Sequence, residues 1–347
     1  MKKRTLAMLM GIALCFTTVF ATMPAWGTEE EELNIDDEGR IITQAESIHN
    51  QSKNRDELIA SIDETEIEYQ IWQAKTYGLD AMRWRIWGKV SDEYTSVSVS
   101  KNLMRKVCNQ TDIPMEIETT LGTYYIDNAL MKYLVKKGTG KDIKLVLEKI
   151  SLTNDEKSVY GEDAYACKAY FSSGGKKITD LGSNRTEIIL SIRARISAVS
   201  ELGRINSKGK LCDVKANFGG QVGNYKCIFD TSKLGTFVVV SSARIDYAKR
   251  VTAVTSEAVN AKVTALKNGI KVSWSKTSGF KAAGYQVYAS SKKTGTYKRI
   301  KTTQKLSCTD SGLRNGTKKY YKVRAYTMVN GLKIYSKWSS VKTATAK

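Results

Sequence analysis

Side chains able to do chemistry are sparse in this chain of 347 residues, and their spacing argues against most catalytic schemes. The only histidine, His49, lies in a polar stretch between Ser47 and Gln51 and reads as a solvated ring. That removes a Ser-His-Asp arrangement. Cysteine–histidine chemistry fares little better, because Cys108 and Cys167 sit in apolar-periodic segments typical of buried thiols. Beyond Cys15 the cysteines are Cys108, Cys167, Cys212, Cys227 and Cys308, an odd number without CxxC spacing. Such a set excludes a disulfide framework and the common zinc modules. Cys212 and Cys227 flank Gly219-Gly220 at similar separation, so pairing of their strands would oppose the two sulfurs. Two free thiols is the alternative. Glu162-Asp163 are adjacent on a turn-like stretch, where carboxylates seldom converge on a glycosidic bond. No Asp-x-Asp-x-Asp calcium loop and no glycine-rich phosphate loop is present, and Gly174-Gly175 and Gly219-Gly220 read as hairpin turns. No catalytic residue, metal or cofactor is expected.

Exposed tryptophans can stack on sugar rings, which makes Trp72, Trp84 and Trp87 the remaining candidates. Met82-Arg83-Trp84-Arg85-Ile86 alternates, so Met82, Trp84 and Ile86 share the core face of a strand. Arg83 and Arg85 share the other face with Trp87. Those three residues form a candidate glycan contact, with domain-interface packing as the alternative.

The elements that would position them follow from pattern. Residues 28–65 read as a polar, acidic leader with a short helix or strand. Residues 66–250 read as a β-rich domain with short helices, either one unit or two subdomains. Its clearest part is a βαββαβ-like succession. Ser100 caps a helix over 102–108, Pro114 opens a strand, Asp127 caps a second helix over 128–135, and DIKLVLEKI (142–150) alternates cleanly. Residues 251–259 read as a linker. From Asn260 to Lys347, short strand-like runs alternate with turns such as Lys267-Asn268-Gly269 and Val329-Asn330-Gly331. About seven strands spaced this way describe an immunoglobulin-like β-sandwich. The fold class is therefore α+β and β-dominated, a mixed domain followed by a sandwich.

The last segment resembles a fibronectin type III domain of the kind carried by Firmicutes surface proteins. The resemblance rests on Trp274 in VSWSK, on Tyr285-Gln286-Val287-Tyr288, on Thr309-Asp310-Ser311-Gly312-Leu313 and on Tyr320 to Tyr326. The position at which the family places its corner tyrosine falls on Lys319, so the usual corner hydrogen bond is expected to be missing. Such domains are mostly spacers or binding modules. A weaker resemblance covers about residues 80–245, through VSVSKNLMRKV, MEIETTLGTYYIDNALMKYLV and DIKLVLEKI. These runs are similar to an uncharacterised module of Firmicutes envelope proteins, which implies a surface location and no activity.

Export is also expected from the N-terminus. Lys2, Lys3 and Arg4 precede an uncharged apolar run from Leu6 to Phe20, and Ala25-Trp26-Gly27 offers small residues for cleavage before Thr28. About fifteen apolar residues fall short of the roughly twenty needed to span a bilayer. A signal peptide over 1–27 leaves no transmembrane anchor once cleaved and places the protein outside the cell, secreted or held non-covalently at the surface.

Charge points to a partner. Residues 251–347 hold 17 Lys and 3 Arg against Glu257 and Asp310, a net of +18 in a chain of +20. A field of that size favours polyanions. Outside a Gram-positive cell these are the wall and its teichoic acids; other surface proteins are further candidate partners. Nucleic acid is disfavoured, since Arg193, Arg195 and Arg204 lack the glycine–aromatic context of an RNA-binding sheet. The expected function is an exported, non-catalytic binding protein whose basic sandwich contacts cell wall or another anionic polymer. The alternative is an accessory or divergent enzyme acting on wall polysaccharide, with the sandwich as spacer.

Overall fold

The computed structural model describes residues 34–88, 93–194, 196, 199–221 and 223–347; the expectations for the signal peptide and for Arg195 lie outside them. Strands β1 (Ile41–Gln44), β2 (Glu46–Asn50) and β3 (Arg55–Ile62) lead into helix α1 (Glu64–Tyr77) and β4 (Met82–Trp87). The strand–helix–strand step repeats as β5 (Tyr94–Ser100), α2 (Lys101–Gln110) and β6 (Met115–Thr119). It then reverses as β7 (Gly122–Ile126), α3 (Asn128–Lys137) and β8 (Asp142–Ile150). Next come α4 (Asn154–Tyr160), β9 (Tyr165–Ser173), β10 (Lys176–Ile178), β11 (Thr186–Ile192) and β12 (Ser200–Ile205). They are followed by β13 (Leu211–Val214), β14 (Ala216–Gln221), β15 (Asn224–Thr231), β16 (Gly235–Ser241) and α5 (Ser242–Thr255).

These strands form two sheets, one of seven in the order β1-β4-β6-β7-β11-β15-β14 and one of nine on the path β13-β12-β16-β9-β8-β5-β3-β2, with β10 beside β9. Their inner faces meet. Tyr124 packs on Phe171 and Phe229 on Phe237, with ring centroids 5.2 and 4.7 Å apart, and the Tyr124 hydroxyl donates to the Val146 carbonyl. Helices α1, α2 and α3 each carry the chain from one sheet to the other. Because β3 runs parallel to β5 and β4 to β6, all three crossings fall at the same end. Their starts are set locally: the side chains of Asp63, Ser100 and Asp127 accept from the amides of Glu66, Leu103 and Leu130. Helices α4 and α5 cover the other face of the nine-stranded sheet, where Tyr160, Val238, Val240, Ile245 and Ala248 share a core.

Three expectations are corrected. The acidic leader supplies β1 to β3, and Leu58, Ala60 and Ile62 of β3 are core residues beneath a polar composition. The linker begins late, since Val251 to Thr255 complete α5 with Val251, Thr252 and Val254 buried. Gly219-Gly220 is no turn; both lie inside β14, and the hairpin to β15 closes beyond Gln221, which pairs with Asn224. Gly220 has φ +100°, and a Cβ there would fall 2.3 Å from the Asn224 carbonyl oxygen, so close pairing requires a glycine.

The C-terminal sandwich holds β17 (Ala261–Leu266), β18 (Gly269–Trp274), β19 (Gly284–Ser290), β20 (Lys298–Thr303), β21 (Ser307–Ser311), β22 (Lys318–Val329), β23 (Leu332–Tyr335) and β24 (Lys342–Thr345). One sheet is β17-β18-β21; the other is β20-β19-β22-β23, with β24 also on β22. Trp274, Tyr285, Val287, Tyr321 and Val323 form the core between them. Lys319 stands at the position of the corner tyrosine, and the hydroxyl bond made nearby is that of Tyr321, to a different kind of partner. Its buried hydroxyl donates to the Asp310 carboxylate at 2.8 Å, where the usual bond goes to backbone.

Candidate functional site

Strand β4 alternates as its sequence implies. Met82, Trp84 and Ile86 are buried, while Arg83, Arg85 and Trp87 share the outer face of the seven-stranded sheet. The register of β4 on β6 sets Arg83 beside Glu116 and Arg85 beside Glu118. Arg85 Nε lies 3.4 Å from Glu118 and its Nη1 3.1 Å from Asp36; Arg83 lies 2.5 Å from Asp80 and 3.5 Å from Glu116. Arg40 completes the group at 2.7 Å from Asp36, 2.9 Å from Glu38 and 3.2 Å from Glu118. Burial alone would raise the Asp36 pKa, but hydrogen bonds from the Arg40 side chain and from the Arg40 and Glu38 amides outweigh it and hold the carboxyl below its usual range. The two arginines of the candidate glycan contact are thus compensated. Trp87 stands apart at 65% exposed.

Cys212 and Cys227 are not brought together. Cys212 lies on β13 opposite Arg204 in the nine-stranded sheet, whereas Cys227 lies on β15 between Leu190 and Phe218 in the seven-stranded one. The chain changes sheets at Lys215, between β13 and β14, and both thiols are free. Burial pushes the Cys167 and Cys227 thiols up to about 12 and raises that of Cys108, so all three are poor sources of thiolate. His49 Nδ1 sits 2.7 Å from Asp56 as an exposed pair across β2 and β3.

A second concentration of functional groups lies on the outer face of the β20-β19-β22-β23 sheet. Alternation along β22 turns Tyr321, Val323 and Ala325 inward and Tyr320, Lys322, Arg324 and Tyr326 outward. Ser336 and Ser339 hold the stretch after β23 against it. Their amides donate to the carbonyls of Ala325 and Val323, and their hydroxyls accept from the amides of the same two residues at 2.9 and 3.0 Å. Each serine stands in for a ladder partner, and Tyr335 and Trp338 are carried over β22.

A ladder of cations and rings results. Lys333 Nζ is 4.8 Å from the Tyr326 ring, and Tyr326 is 6.1 Å from Tyr335. The Arg324 guanidinium lies 3.8 Å from Tyr335 and 4.5 Å from Trp338. Lys322 lies 4.3 Å from the other rung, Trp338, and 4.6 Å from Tyr297. Tyr288 meets Trp338 edge-on at 4.9 Å. Buried Gln286 accepts from Arg324 Nε and Nη2 at 3.0 and 2.9 Å, fixing the guanidinium without neutralising it. Among the described residues, no carboxylate pairs with these cations. Of the sandwich's two acidic side chains, Glu257 accepts from the Ser278 and Gly279 amides and Asp310 from Tyr321. Sequence reasoning counted these lysines but did not see the ladder. Its signal was Lys-Val-Arg-Ala-Tyr (322–326), alternating outward, beside Tyr-Ser-Lys-Trp-Ser (335–339).

No family model matches the chain, and no curated protein does. Among solved structures it is similar to the sixth fibronectin type III domain of human fibronectin type III domain containing protein 3, at 19% identity over 26% of this chain and 84% of that one, with a TM-score of 0.23. An Fn3-like protein from Clostridium thermocellum is 29% identical over 24% of this chain and 88% of that one, with a TM-score of 0.19. Pectate lyase PelI from Erwinia chrysanthemi, in complex with tetragalacturonic acid, is 15% identical over 25% of this chain and 28% of that one, with a TM-score of 0.21. Each likeness reaches about a quarter of the chain.

Proposed function

We propose that this protein works outside the cell as a non-catalytic binding protein, and that its C-terminal sandwich holds an anionic wall polymer. One observation carries the reading. The sandwich has 17 Lys and 3 Arg, its two acidic side chains accept hydrogen bonds from its own amides and a hydroxyl, and among the described residues none of its cations takes part in an ion pair. A folded domain that keeps so much like charge uncompensated is less stable for it, and a polyanion relieves the repulsion.

Cosedimentation of the full chain with wall that bears teichoic acid tests this. Binding should be strong at 0.1 M salt and nearly gone at 1 M, as the Debye length contracts from about 10 Å to about 3 Å. It should also fall when the same wall is stripped of phosphate. Retention indifferent to both salt and phosphate would defeat the proposal.

A further inference from the structure

Resting on that reading, we infer that the polymer is gripped at one place, the cation–aromatic ladder on the outer face of β19, β22 and β23, and that its chemical class is a phosphodiester-linked chain. Three features point there. The first is that Arg324, Lys322 and Lys333 are positioned before any ligand arrives. Rings lie within 3.8–4.8 Å of each, and Gln286 takes two of the Arg324 donors. An anion that docks on them orders little that is not already ordered.

The second feature is what the ladder leaves unsatisfied. Aromatic rings offer a negative face and a positive edge. Here the faces of Tyr326, Tyr335, Trp338 and Tyr297 are turned to the protein's own cations, as the short ring-to-cation distances show. A sugar ring or a nucleobase stacking on those same faces would have to displace the cations that lie over them. Ammonium and guanidinium N–H groups remain for a ligand, and they suit compact anions. Phosphate satisfies a guanidinium through paired oxygens and an ammonium as a point charge.

Spacing is the third. Lys322 and Arg324 are two residues apart on one strand face, roughly 7 Å along β22, and Lys333 continues the row on β23, whose Tyr335 pairs with Tyr326. A flexible chain with an anion every few bonds can set successive phosphates along that row. A stiff polyuronate, whose carboxylates are borne on linked rings, has less freedom to match its repeat to that row.

The test uses the full chain and fluorescently labelled poly(glycerol phosphate) teichoic acid, followed by anisotropy at 0.1 M salt. One variant carries Lys322→Gln, Arg324→Gln and Lys333→Gln. A control carries Lys262→Gln and Lys271→Gln on the opposite, three-stranded sheet and Lys267→Gln in the turn that joins β17 to β18, where all three lysines are exposed. Both lose three charges. The ladder variant should lose affinity about tenfold or more and the control no more than about twofold. Equal losses would overturn the ladder and leave binding by the diffuse field of the sandwich. No binding by the parent chain would instead overturn the proposed function. Thermal melts check folding; should the triple ladder variant unfold, Lys322→Gln and Lys333→Gln singly should each cost about two- to threefold, and no loss in either overturns the ladder. Polygalacturonate displacing the probe as readily as unlabelled teichoic acid, at equal anion concentration, would overturn the phosphodiester assignment.

Discussion

On the outer face of β4, three arginines stand among five carboxylates: Arg40, Arg83 and Arg85 against Asp36, Glu38, Asp80, Glu116 and Glu118. On the outer face of β22, Arg324, Lys322 and Lys333 stand among tyrosines, a tryptophan and one glutamine. Both settings fix long cationic side chains, but the first cancels their charge and the second preserves it. A carboxylate partner neutralises; a ring attracts through its quadrupole and carries no net charge. The first face can serve as structure and offers an anion little. The second remains positive at a surface where its side chains are already ordered.

The sharpest way to break this comparison is to delete one arginine from each face and compare stabilities in urea. Arg40 and Asp36 have side chains only 12% and 11% exposed, so Arg40→Ala removes a charge-assisted bond at a half-closed site and leaves Asp36 to Arg85 and two backbone amides. It should cost about 2 kcal/mol, the loss of hydrogen bonds between charged groups. Arg324→Ala removes cation–π contacts and two bonds to a neutral amide and should cost about 1 kcal/mol. Equal losses would mean that the two settings hold charge alike.

A carboxyl that the compensated region fails to serve supplies the next test. Glu66, on α1, accepts from Thr43 Oγ1 at 2.9 Å, but its other oxygen is buried without a partner. Burial pushes its pKa up to about 7, and the Thr43 bond offsets only part of that. The folded pKa thus lies above the usual 4.5. Stability from this group is whole below about pH 4.5, declines as pH rises through 7 and is lost above it. Glu66→Gln should flatten the profile and be more stable than the parent at pH 8 by about 3 kcal/mol, the equivalent of the shift. Parallel pH–stability curves for the two proteins would show that Glu66 is ionised in the fold at no cost.

Within the sandwich, Asp310 lies on β21, in the sheet opposite the ladder, and accepts from the inward-facing Tyr321 hydroxyl. Tyr321→Phe should cost about 2 kcal/mol, since a hydrogen bond to a charged acceptor is lost. Burial, and then the bond to Asp310, also raise the tyrosine's pKa above its usual 10. Its contribution is therefore present below about pH 10 and lost as pH climbs beyond, and the variant should lack that alkaline decline. Stability unchanged at pH 7 would show that Asp310 is satisfied without the hydroxyl.

Local signals made much of this fold legible. The run β5-α2-β6-β7-α3-β8 could be read because Ser100 and Asp127 are caps and the strands between them alternate. The sandwich could be read because its turns recur. What stayed hidden was non-local. The strand β3 was masked by Asp56 and Glu57, and Glu57 is tolerated in the fold because Arg55 lies 2.8 Å away. The apparent cysteine pair failed because the chain changes sheets at Lys215, and no residue there announces it. The ladder draws on four separate stretches, at Tyr288, Tyr297, 322–326 and 333–338, and counting lysines does not say which rings they face.

Trp87 carries the smallest expected effect and the cleanest discrimination between the two faces. It shares an outer face with Arg83 and Arg85, yet those side chains are turned to carboxylates. At 65% exposed, the indole buries little apolar area, so Trp87→Ala should change stability by no more than about 0.5 kcal/mol. The face around it is compensated and exerts no net pull on a polyanion. Affinity for teichoic acid should accordingly stay within twofold of the parent, and the salt dependence should be the same. Titration of the variant beside the ladder substitutions measures this directly. A fivefold loss on removing Trp87 would place polymer on the seven-stranded sheet as well. It would mean that an aromatic ring with a free face contributes where the cations have been neutralised, and the contrast between the two faces would no longer explain where the polymer binds.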